Sequence, residues 1–70
     1  MTNLANEILN VERNLIQVDA KIEALDDFLG DVGHTLTVEA ADHIEAEIGR
    51  LAATAEFLVE RLNKLEAMAA

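Results

Sequence analysis

Apolar residues recur by alternating fours and threes along nearly the whole chain, and the pattern breaks only once. Leu4, Ile8, Val11, Leu15, Val18, Ile22, Leu25 and Leu29 form one unbroken a/d seam. Ala41, Ile44, Ile48, Leu51, Ala55, Leu58, Leu62, Leu65 and Ala69 form a second. Between them lies Gly30-Asp31-Val32-Gly33-His34-Thr35, which holds two of the three glycines of a chain that has no proline. Gly30 suits the left-handed position past a helix C-terminus. Thr37 suits an N-cap, with Glu39 and Asp42 near the positive end of the following helix dipole. Leu36 and Ala41 stand where a hydrophobic staple would sit. The spacing predicts one domain over residues 1–70: a helix over about 3–29, a loop over 30–37 and a helix over about 38–67.

A short loop folds two such helices antiparallel, so facing residues follow a fixed register. Pairing Leu25 with Ala41, Ile22 with Ile44, Val18 with Ile48, Leu15 with Leu51, Val11 with Ala55, Ile8 with Leu58 and Leu4 with Leu62 sets an a residue against a d residue each time. The g positions then oppose Glu7 to Arg61 and Lys21 to Glu47, two pairs of opposite charge. The expected fold is all-α, a two-helix antiparallel hairpin of coiled-coil type.

One seam leaves surface over. The e and b positions carry Ala5, Leu9 and Ile16 from the first helix, and Gly49, Ala52 and Val59 from the second. A chain of 70 residues without cysteine has neither a large core nor a disulfide to hold it, and scaffolds of this size usually need a staple or a partner. Burying the strip against a second copy gives a homodimeric four-helix bundle, with Gly49 allowing close approach. The six strip residues are therefore the expected dimer interface.

Charge narrows the remaining partners. The net charge is −9, with 14 acids against 5 bases. Direct binding to nucleic-acid phosphates or to an anionic membrane surface needs the opposite sign. The acids gather between Asp19 and Glu47, a stretch whose only Lys or Arg is Lys21. On folding this becomes the loop end, where Asp26, Asp27 and Asp31 stand beside Val32, His34 and Leu36. These residues, with the misfit aromatic Phe57 at a c position, are the candidate contacts to a protein with a basic or mixed surface.

Chemistry has little to stand on. Glu39, His43 and Glu47 share one helical face, but no second His lies at ligand spacing, so no metal or cofactor is expected. There is no Cys or Ser nucleophile and no Gly-rich phosphate loop. Two packed helices should also leave no pocket of the ~300 Å³ a small substrate requires.

The expectation is a non-enzymatic inhibitor or adaptor that occupies a partner's surface, of the kind phages and mobile elements direct at host proteins. With no membrane-length apolar run and no signal peptide at its start, the chain is expected in the cytoplasm. A structural coiled-coil component of a larger assembly is the first alternative. The outline also resembles the Rop-type dimeric helical hairpins of plasmids, which implies RNA binding through the first-helix face. Here that face offers Asn3, Asn6, Asn10, Arg13, Asn14 and Gln17, with a single base.

Overall fold

The computed structural model describes residues 3–70. Helix α1 spans Leu4–Val32, a 3-10 turn follows at Gly33–Thr35, and helix α2 spans Val38–Ala69. The two helices pack against each other as a hairpin of about 52 × 17 × 15 Å. There is no strand among the described residues.

Both helix starts are capped by the side chains the sequence offers. Asn3 Oδ1 accepts from the Asn6 N–H at 3.2 Å, and Thr37 Oγ1 accepts from the Ala40 N–H at 3.1 Å. Each cap satisfies one of the donors that a helix start leaves without an internal partner. Glu7 and Glu39 lie in the first turns, where the helix dipole favours acid.

The end of α1 differs from expectation. The helix does not stop at Leu29 but runs through Gly30 to Val32, and no described residue has a positive φ. Gly33, at φ −55°, takes the cap, and its N–H donates to the Leu29 carbonyl. Val32 explains the extension, because it falls on the next d position and is half-buried. It continues the seam that a break at Gly30 would have cut short. Thr35 Oγ1 then donates to the Val32 carbonyl at 2.7 Å, and the Leu36 N–H donates to the Gly33 carbonyl at 3.2 Å. These bonds close the turn.

The seam itself is as the repeat requires: from Leu4 to Leu65 its a and d residues are all buried or half-buried, and only Ala69 is exposed. Only Val11 (6 %) and Leu65 (5 %) fall in the buried class. Leu65 carries a second message. In the register set by Val18 against Ile48, Leu4 would face Leu62, and Leu65 would lie beyond the first turn of α1, opposite none of the described seam residues. A groove between the helices agrees, since Leu15 and Asp19 share it with Ala55, Glu56, Val59 and Glu60. In the expected register Asp19 and Glu60 would stand about 20 Å apart along the axis at 1.5 Å per residue.

Of the registers that set a against d, the one displaced by a heptad accounts for both observations. It places Val18 opposite Ala55, Leu15 opposite Leu58, Val11 opposite Leu62 and Ile8 opposite Leu65. It also brings Leu29, Val32 and Leu65 into the seam. Each such residue adds about 1.5–3 kcal/mol when fully buried. The two ion pairs that favoured the other register are worth about 0.2–1 kcal/mol each when exposed. Neither Glu7–Arg61 nor Lys21–Glu47 forms; the ion pair found among the described residues is Arg50–Glu47, within α2.

Cysteine cross-linking separates the two registers in a chain with no cysteine of its own. Val18→Cys with Ala55→Cys should close a disulfide on mild oxidation, while Val18→Cys with Ile48→Cys should not, since the Cα atoms must approach within about 7 Å. Leu65→Ala should cost about 2–5 kcal/mol in urea unfolding, the range for a truncated core leucine. A cost near zero would mean that Leu65 lies outside the seam.

Candidate functional surfaces

The expected contact residues do not form one site. Asp26, Asp27, Asp31 and His34 are exposed at the loop end. Val32 and Leu36 are half-buried there, Val32 as part of the seam and Leu36 beside the turn, so neither projects freely. Phe57 is 63 % exposed. It sits well down α2, about 28 Å along the axis from Val38 at 1.5 Å per residue, and so cannot join a contact made by the tip alone.

The two flanks of the hairpin differ sharply in charge. The e and b positions on one side carry Glu12, Asp19, Glu23, Asp26, Asp42, Glu45, Glu56 and Glu66, all exposed, and no Lys or Arg. The strip expected as an interface lies among them. Ala5, Leu9, Ile16, Gly49, Ala52 and Val59 are all exposed, Ile16 most of the larger three at 68 %. Nothing within the hairpin stands over Gly49. The displaced register staggers this strip, so that Ala52 and Gly49 lie across from the Asp19 and Glu23 region instead of from Leu9 and Ile16.

On the same flank runs the open groove of about 390 Å³. Leu15, Ala55 and Val59 make its floor, and Asp19, Glu56 and Glu60 edge it. The hollow lies open to solvent, where Ala55 is smaller than the seam residues around it. Of this set only Val59 belongs to the strip expected as an interface. The signal was present in the e and b columns, where acids alternate with apolar residues.

The g and c positions make the other flank. It carries Lys21, Arg50, Arg61 and Lys64, four of the five bases, together with Phe28 and Phe57 and three acids, Glu7, Asp31 and Glu47. Arg50 donates to Glu47 from Nε (3.2 Å) and from Nη2. That hydrogen bond, and then the guanidinium charge, hold the Glu47 carboxyl below its ordinary pKa, with smaller help from His43 and Lys21. No group of three His, Cys, Asp or Glu among the described residues is arranged to hold a metal ion. No described helix is long and apolar enough to cross a membrane. Compared with family models, curated proteins and solved structures, the chain matches none.

The Glu47 shift has a definite sign. A carboxyl whose pKa falls on folding adds stability above its unfolded pKa, and that stability is lost as pH drops through the lower folded value. The pair is solvent-exposed, so the effect on unfolding is small. Site-resolved NMR titration should show Glu47 ionising below the ordinary glutamate range, and Arg50→Ala should return it there. An unchanged titration in the variant would remove Arg50 as the cause.

Proposed function

We propose that the chain is a small acidic protein-binding module without catalytic activity, an inhibitor or adaptor that occupies a basic or mixed surface of another protein in the cytoplasm. The observation that carries this reading is the loop end. Asp26, Asp27 and Asp31 are exposed there, and none of them forms an ion pair among the described residues. Uncompensated acids on a rigid helical tip steer a basic partner into contact and weaken as salt rises. Self-association through the apolar strip completes the reading, since the seam buries only Val11 and Leu65 and leaves Leu9, Ile16 and Val59 in water. An assembly component is the second reading, favoured by the base-bearing flank opposite the acidic one.

The triple variant Asp26→Lys, Asp27→Lys, Asp31→Lys tests the loop end. All three positions are exposed, so circular dichroism should show unchanged helix content. A basic protein captured by the wild type at ~0.1 M salt should be lost from the variant, and should leave the wild type when salt shortens the screening length below ~10 Å. Equal capture by both chains at every salt concentration would reduce the acidic tip to a solvated surface.

A further inference from the structure

We infer that the acidic flank of one copy is covered by the opposite, base-bearing flank of a second copy, in a head-to-tail contact. This rests on the self-association proposed above and gives it a geometry. A two-fold contact through the strip would set the same patch against itself. Here that means bringing two sets of carboxylates together with no Lys or Arg on either side. Like charges juxtaposed across an interface oppose association.

The complementary surface is already on the chain. The g/c flank faces directly away from the e/b flank, so a sideways translation of one hairpin lays the one against the other. The levels match. Phe57, 63 % exposed, lies in the same turn of α2 as Glu56, Val59 and Glu60, which line the groove. Translation therefore carries Phe57 of one copy to the groove of the next. The same movement brings Arg61 and Lys64 to the region of Glu56 and Glu66, and Lys21 to that of Asp19 and Glu23. An aromatic ring over an apolar floor, flanked by bases among acids, is the usual make-up of a contact's energetic centre. Such pairing does not close at two chains. Repeated without rotation, it continues as an open stack.

Sedimentation equilibrium on the full chain and two charge variants tests this. Arg61→Glu with Lys64→Glu leaves the strip and groove intact, while Glu56→Lys with Glu66→Lys leaves the Phe57 flank intact. All four positions are exposed, and circular dichroism checks that the helices persist. The wild type should gain mass with concentration beyond two chains. Each variant alone should associate about tenfold more weakly or worse, and an equimolar mixture should recover the assembly. A closed two-chain species that persists in Arg61→Glu with Lys64→Glu would overturn the head-to-tail contact and leave self-association standing. So would a mixture no larger than its parts. A wild type that stays monomeric from micromolar to millimolar concentration would overturn both.

Discussion

A contact between two helices can cover only one stripe on each, and the rest of this structure follows from that limit. Leucine and isoleucine fill the a and d positions, yet most of the seam is only half-buried. A third or fourth helix would cover what remains, as in a bundle. The described chain supplies none. The apolar flank residues and the half-exposed seam are one fact seen twice, a core with open sides. Polar caps at Asn3 and Thr37 fix where the helices begin but add little to that core.

The same seam shows what was readable from the sequence. Helix number, antiparallel packing and the Thr37 cap follow from periodicity and from one capping residue. Register did not, because a heptad repeat matches itself after every seven residues. Both alignments set a against d, so the pattern is indifferent between them. The burial of Leu65 and the lining of the groove break the tie, and both go with a first helix that runs past Gly30. A glycine among helix formers reads as a stop signal, but its cost in a helix interior is only about 1 kcal/mol. Extending α1 to Val32 gains another seam residue, and tertiary burial outweighs local preference there. The agreement of Glu7 with Arg61 and of Lys21 with Glu47 was a coincidence of alternating charge, weighted above its energy.

The candidate surfaces were readable in part. The exposed strip, the exposed acids at Asp26, Asp27 and Asp31, and the exposure of Phe57 all follow from helical position alone. The groove is not legible in the seam pattern alone, because its lining is drawn from both helices and so depends on register. The displaced register brings Ala55, Glu56, Val59 and Glu60 near the level of Leu15 and Asp19, where the expected one would bring the Leu51 turn. Which residues line a groove between two helices therefore depends on register as well as on composition.

Net charge gives a poor account of such a molecule. A value of −9 describes a chain that should repel its own kind. The folded hairpin sorts that charge: every charged residue at the e and b positions is acidic, while the g and c positions set Lys21, Arg50, Arg61 and Lys64 against Glu7, Asp31 and Glu47. Exposed charges interact appreciably only within about 8–10 Å at physiological salt. The hairpin is about 15 Å thick between these flanks, so a partner approaching one flank is largely screened from the other. Each flank therefore presents its own charge, and association depends on which flank is met. Salt therefore acts in two directions when two such molecules meet: it weakens attraction between a base-bearing flank and an acidic one, and it relieves repulsion between acidic loop ends.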